Sequence, residues 1–117
     1  MAIPRNKMVP LNRVDISSPE QLRDAVKNAS GRVLLRFYRV GCPACERLVP
    51  LWETQARAPN MSRVQFVSVN VQDNPELSGA FGIQSIPTIM AFDRGVLTGK
   101  LVGFNPDRFK LLAETGK

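Results

Sequence analysis

The sequence predicts an α/β fold in which a central mixed β-sheet is flanked by helices on both faces. Apolar stretches typical of strands alternate with stretches of helical periodicity, and a tight glycine-containing turn joins the last two strands. The alternation requires parallel crossovers, whereas the closing hairpin adds antiparallel strands. The 117 residues, 44% of them apolar, suit one packed core. We therefore predict an irregular lead-in at 1–12 and a single domain at 13–117.

The first strand and helix follow the lead-in. A short strand is predicted at 14–16. The next helix begins at Ser18-Pro19, because serine suits the N-cap and proline the first helical position. Apolar residues at helical spacing continue to Ala29, and Gly31 ends the run.

The chain between residues 32 and 57 contains the most strongly apolar strand. Residues 32–40 are almost continuously apolar apart from their arginines, which predicts a central strand covered on both faces. A second helix is predicted from about Cys42 to about Arg57, and Pro50 should kink it.

The second half continues the alternation. The predicted elements are a strand at 64–71, a helix capped by Asn74 before Pro75, strands at 88–92 and 96–102 joined at 93–95, and a helix from Asn105-Pro106. Gly95 supplies the special backbone angle that the hairpin turn needs.

The charge pattern narrows the choice of partners and location. The chain has 16 basic and 10 acidic side chains, and the basic ones are scattered, which favours acidic partners in general. With no binding motif beside this charge, dedicated nucleic-acid binding is not expected. The first ten residues lack an apolar signal core, and no apolar stretch approaches a membrane span of about 18 residues. We expect a cytoplasmic protein.

The residues with the clearest chemistry are Cys42-Pro43-Ala44-Cys45, which follow a buried strand and open a helix. A sulfur at a helix N-terminus lies near free N–H groups and the positive end of the helix dipole, which lowers the thiol pKa from about 8.5. Cys42 is therefore the candidate nucleophile. Cys45, one turn later, can resolve a mixed disulfide.

Other uses of two cysteines fit less well. A zinc site needs about four ligands, and the chain has two cysteines and no histidine. A purely structural disulfide across two residues would close too small a loop to stabilise the fold much. No metal and no bound cofactor are therefore expected.

Several further motifs resemble the thioredoxin family over essentially the whole chain after the lead-in. They are Phe37-Tyr38, Cys42-Pro43-Ala44-Cys45, Pro50, Asn70, Asp73-Asn74-Pro75, Gly82-Ile83, Ile86-Pro87-Thr88, Phe92, Gly95 and Val102-Gly103. The resemblance implies the thioredoxin fold and dithiol–disulfide exchange on protein disulfides.

The same resemblance implies which residues line the site. It implies a cis Ile86–Pro87 bond beside the cysteines, with the Ile86 backbone free to pair with an extended substrate. Gly103 should leave flat space for substrate, while Gly41 and Pro43 border the nucleophile. These five residues are the predicted substrate-binding set.

Three positions depart from the family pattern. Pro43 replaces the usual glycine of the dipeptide, which favours a more oxidising protein. Gly41 replaces an aromatic residue, which puts recognition by a thioredoxin reductase in doubt. Arg36 replaces a buried acid and cannot act as a base. If its guanidinium approaches the cysteines it favours their thiolates; otherwise it should reach solvent or pair with a carboxylate.

Two alternatives to a protein-disulfide reductase stay open on sequence alone. One is a glutathione-linked reductase or a disulfide oxidase on the same fold, which the position of Pro43 favours. The other is a redox-independent binding subunit, for which the basic surface would suit an acidic partner. Electrons for reduction would come from a thioredoxin reductase or from glutathione.

Overall fold

The computed structural model of the chain describes residues 12–27, 29 and 31–117, so most of the predicted lead-in at 1–12 lies outside the described residues. The elements are β1 (Arg13–Ile16), α1 (Pro19–Lys27), β2 (Arg32–Tyr38), α2 (Pro43–Arg57), a 3-10 turn (Pro59–Met61), β3 (Gln65–Asn70), α3 (Pro75–Ala80), β4 (Thr88–Asp93), β5 (Val96–Val102) and α4 (Pro106–Thr115). This order confirms the predicted alternation of strands and helices.

The five strands form one mixed sheet in the order β1-β3-β2-β4-β5. β1, β3 and β2 are parallel, and β4 and β5 are antiparallel to their neighbours. On one face Leu34 of β2 joins the core formed with α2 and α4. On the other face Val33 and Leu35 join the core formed with α1 and α3. The α/β fold class and the central position of β2 are thus confirmed.

The start of α1 has the predicted cap, but its end is earlier than predicted. The backbone N–H of Gln21 donates to Ser18 Oγ at 3.2 Å, and the Gln21 side chain accepts from the N–H of Ser17 at 2.6 Å. α1 ends at Lys27, so the prediction that Ala29 is helical is wrong. Ala29 is partly buried against the core of this face, and that packing explains its apolar character without a helix.

The two predicted asparagine caps behave differently. Asn105 caps α4 by accepting the N–H of Arg108 at 3.1 Å. Asn74 precedes α3 but makes no cap hydrogen bond; its amide instead donates to the carbonyls of Ile16 at 3.3 Å and Asn70 at 3.0 Å. Asn74 thus occupies the predicted N-cap position, but its buried side chain ties α3 to the neighbouring strands and does not cap the helix.

The end of β2 positions the loop that leads to α2. The prediction of a strand to residue 40 is wrong, because β2 ends at Tyr38 and Arg39 and Val40 are exposed loop residues. Pairing with β4 stops where Phe37 faces Thr88. The residue before Thr88 is a proline, which has no N–H with which to continue the ladder.

Candidate active site

The N-terminus of α2 is built by three consecutive residues. Gly41 has a φ of +84°, a left-handed conformation that glycine adopts without steric cost. Cys42 then takes the N-cap position with φ −91° and ψ 113°, and Pro43 follows in the first turn, where no N–H is needed. The turn at Gly41 therefore directs the chain from the end of β2 into a helix with cysteine at its cap.

The two cysteines come together as the sequence predicts. They form a disulfide with their Cα atoms 5.2 Å apart. The backbone N–H of Cys45 donates to Cys42 Sγ at 3.2 Å. Cys42 and Cys45 are 6% and 4% exposed, so the sulfurs lie just under the surface. Cys45 shares the buried face of α2 with Leu48 and Trp52.

The loop before β4 carries the predicted proline. The Ile86–Pro87 peptide bond is cis, as expected. The hydroxyl of Thr88 donates to the carbonyl of Ser85 at 2.6 Å, and the N–H of Gly103 donates to the carbonyl of Pro87 at 2.8 Å. Gly103 has a φ of +89°, and a Cβ added there would have no atom within 4 Å. The surface beside Pro87 is therefore open.

Strand register brings the predicted site residues to one end of the sheet. Phe37 of β2 faces Thr88 of β4, which in turn faces Val102 of β5. Pro87 immediately precedes β4, and Gly103 immediately follows β5. The loop to Cys42 leaves β2 at the same end. The sheet therefore places the proline, the glycine and the start of α2 at a common end of the strands.

Arg36 points into the α2 side of the sheet and contacts neutral groups. Its Nε donates to Ser68 Oγ at 2.7 Å. Its guanidinium carbon lies 4.7 Å from the ring centroid of Trp52 and 5.0 Å from that of Tyr38. Among the described residues the ion pairs join Glu53 to Arg13 and Arg57 and leave Arg36 out. Of the two expected outcomes, solvent exposure or a carboxylate partner, the side chain is partly exposed and has no carboxylate partner among the described residues. A hydroxyl and two aromatic faces contact its guanidinium instead.

A cavity of about 340 Å³ lies beside Arg36. Arg13, Asp15 and Glu53 also line it, and neither cysteine does. Burial lowers the pKa of the Arg36 guanidinium, with Tyr38 and Asp15 acting in the opposite direction. Arginine nevertheless stays protonated in proteins, so a fixed positive charge occupies this cavity.

The partners of Arg36 were not identified as such from the sequence. One of these partners could have been suggested by strand register. Ser68 interrupts an otherwise apolar stretch of β3 and faces Arg36 across the parallel ladder. Trp52 is 1% exposed and belongs to the core. Its contact with Arg36 depends on how α2 packs on the sheet, which local sequence does not specify.

The described part of the chain contains neither a metal-binding cluster nor a membrane-spanning helix. No three histidine, cysteine or carboxylate side chains there come together in a way that could hold a metal ion. In the same residues, no helix has the length and apolar character needed to cross a membrane.

Comparison with known proteins gives consistent matches. A family model described as Thioredoxin matches residues 13–114. The thioredoxin of Mycoplasma genitalium is 36% identical over 92 residues, which cover 79% of this chain and 87% of that protein. The thioredoxin of Alicyclobacillus acidocaldarius is 36% identical over 74 residues, 63% of this chain and 70% of that protein.

Solved structures show the same fold. The thioredoxin of Malassezia sympodialis superposes with a TM-score of 0.81 at 23% identity, covering 95% of this chain and 96% of that one. The N21Q mutant thioredoxin of Halobacterium salinarum superposes with a TM-score of 0.78 at 26% identity, covering 93% and 94%.

Proposed function

Because the chain belongs to the thioredoxin family and is a thiol–disulfide oxidoreductase, we propose that Cys42 is its nucleophile and Cys45 its resolving cysteine. One observation carries this assignment: Cys42 caps α2, and its sulfur accepts the N–H of Cys45 at 3.2 Å. In the reduced protein the same donor and the helix dipole favour the thiolate. Cys45 lies one helical turn later on the buried face of α2, bonded to Cys42 and placed to resolve a mixed disulfide formed there.

The reaction then has two balanced steps. The Cys42 thiolate attacks one sulfur of a substrate disulfide, a Cys42–substrate disulfide forms, and the other substrate sulfur leaves with the electron pair as a thiolate. The Cys45 thiolate next attacks Cys42 Sγ and displaces the second substrate thiolate. The substrate disulfide is reduced to two thiols, and the protein dithiol is oxidised to the Cys42–Cys45 disulfide.

The surface around the cysteines is proposed to bind the substrate chain. Gly41 and Pro43 border the nucleophile, and Ile86, Pro87 and Gly103 form the facing edge. The open space at Gly103 supports this role, because a substrate backbone could lie flat there. A peptide bound in this way would run past the carbonyl and N–H groups of the loop before β4.

The proposal also covers the electron donor and the cellular location. Thioredoxins act on disulfide substrates with a reductase partner, and we propose that a thioredoxin reductase regenerates the dithiol, with glutathione as the other possible donor. We further propose a cytoplasmic electron carrier. The likeness to thioredoxins favours this role over the glutathione-linked enzyme, the oxidase and the redox-independent subunit.

Trapping tests the assignment of the two cysteines. The Cys45→Ser variant should accumulate mixed disulfides between Cys42 and the chains of a disulfide substrate such as insulin, since the second step is removed. The Cys42→Ser variant should form none and should not reduce insulin. Mixed disulfides that form through Cys45 in the Cys42→Ser variant would reverse the assignment.

A further inference from the structure

A hollow of about 350 Å³ lies beside Ile86, the residue before Pro87. Its walls are largely apolar and include Val71, Pro75 and Ile83, with Gln84 and Ser85 adding polar groups. The hollow opens at the same end of the sheet as the loop to Cys42. A substrate side chain close to the reacting cysteine could therefore enter it.

Arg39 is the one charged side chain among the described residues that line this hollow. It lies on the exposed loop between β2 and α2, three residues before Cys42. It takes part in none of the ion pairs formed within the described part of the chain. Its guanidinium is therefore available to a group that comes from outside.

A second, smaller hollow of about 120 Å³ lies against the same loop. Gly82, Gln84 and Thr88 line it, and Lys100 of β5 is its one charged residue among those described. The two hollows thus share lining residues of the loop before Pro87, and each is lined by one cation and by no carboxylate among the described residues. The local charge next to the proposed site is positive, and this suits a substrate of the opposite charge.

We propose that Arg39 is a specificity-determining residue that selects disulfide substrates with a carboxylate side chain in the segment next to the reacting cysteine. The apolar walls hold the stem of that side chain, and the guanidinium pairs with its carboxylate, in a bidentate geometry that lysine could not reproduce. The proposal rests on the proposed function, since it assumes attack by Cys42.

Two matched peptides test this selection. Each has one cysteine held as a mixed disulfide with 5-thio-2-nitrobenzoate, and they differ only by Glu or Gln beside the cysteine. Attack of Cys42 on the peptide sulfur forms the Cys42–peptide disulfide and releases coloured thionitrobenzoate with the bonding electrons. The initial rate of colour release from excess peptide by the pre-reduced protein gives the second-order rate constant.

The wild-type protein should react about two- to fivefold faster with the Glu peptide than with the Gln peptide, the range expected of an exposed ion pair. The ratio should approach one in about 1 M salt, where such pairs are screened. Arg39→Gln should bring the ratio near one at low salt. Arg39→Glu should reverse it and favour a matching Lys peptide.

The Arg23→Gln variant is the control for net charge. Arg23 lies on α1 and lines a groove with Gly95, at the opposite end of β4 from Pro87. This variant removes the same charge and should keep the wild-type ratio. A ratio that falls equally in both variants, or that stays unchanged in Arg39→Gln, would overturn the proposal.

The Gln peptide separates this proposal from the proposed function. Its rate should be nearly the same in the wild type, Arg39→Gln and Arg23→Gln, and should vanish in Cys42→Ser. If the Gln peptide fails to react with the wild type, the assignment of Cys42 fails. If it reacts normally but the wild type shows no preference for Glu, the selection by Arg39 is wrong.

Discussion

The two ends of the buried face of α2 handle charge in opposite ways. At its N-terminus the cysteines are 6% and 4% exposed, and the hydrogen bond to Cys42 Sγ comes from the backbone N–H of Cys45. About two turns further on, Trp52 contacts the guanidinium of Arg36, a permanent charge that is held by side chains. We expect the first region to become charged only when the Cys42 thiol ionises in the reduced protein, whereas Arg36 in the second region is permanently charged.

This difference implies that stabilisation of a Cys42 thiolate does not depend on the residue at position 36. The groups that favour a Cys42 thiolate are the N–H groups and dipole of α2, which any side chain at 36 would leave in place. Arg36 contacts Ser68, Tyr38 and Trp52, and its cavity is lined by neither cysteine. We therefore expect redox chemistry to depend on the helix start, and stability to depend on the packed aromatic residues around the cation rather than on the cation itself.

The largest expected effect comes from removing the aromatic wall of the cation site. Trp52 packs edge-on against Phe66 at 5.1 Å and stacks with Phe109 at 6.0 Å between ring centroids. Trp52→Ala should lower the free energy of unfolding by about 3–5 kcal/mol, through lost burial and a residual cavity. Chemical denaturation measures this.

Leu111→Ala is the matched control for Trp52→Ala. Leu111 is 46% exposed on α4, and its truncation should cost less than about 1 kcal/mol. If Trp52→Ala were no more destabilising than Leu111→Ala, the account of Trp52 as a packed core residue would be wrong.

A smaller effect, on the reduction potential, is expected from the dipeptide between the cysteines at the N-terminus of α2. Pro43-Ala44 should give a reduction potential less negative than about −270 mV, the value for thioredoxin. Exchanging the pair by Pro43→Gly with Ala44→Pro should make the potential more negative by on the order of 30 mV, or about 1.4 kcal/mol. Equilibration with glutathione buffers measures both values, and a wild-type potential at or below that of thioredoxin would contradict this prediction.

The smallest effect is expected from the charge at position 36. Arg36→Met should change the pKa of the reduced Cys42 thiol by less than about half a pH unit, because the guanidinium faces a cavity that the cysteines do not line. Unfolding free energy should change by no more than about 1 kcal/mol, since the loss of the cation–π contacts is offset by the lower cost of burying methionine. Alkylation rates and denaturation curves give the two values, and a pKa rise of a full unit would show that Arg36 acts on the thiols.

Local signals made the fold and the cysteine pair predictable. The strand before Cys42, the helix periodicity after it and the hairpin at Gly95 each depend on a few neighbouring residues, and the structure has all three. The hairpin also holds Arg94 at a φ of 52°, which its residue type does not indicate. The sequence prediction assigned a positive φ only to Gly95 in this turn, whereas Arg94 has one as well.

Longer-range contacts account for what the sequence analysis missed. Asn74 was expected to cap α3, but its amide meets the carbonyl of Ile16 from a strand far away in the chain. Two partners of Arg36 come from β3 and α2. The hollow at Arg39 is lined by residues from the loop after β2, from α3 and from the loop before β4. Such sites need the packing of several elements before their neighbours can be named.

The central claim is that the start of α2 favours a thiolate at Cys42, and the pH dependence of alkylation tests it most directly. The rate of iodoacetamide reaction with the reduced Cys45→Ser variant follows ionisation of Cys42 alone. We expect a midpoint clearly below about 8.5, the value of a free cysteine. A midpoint at or above that value would contradict the account.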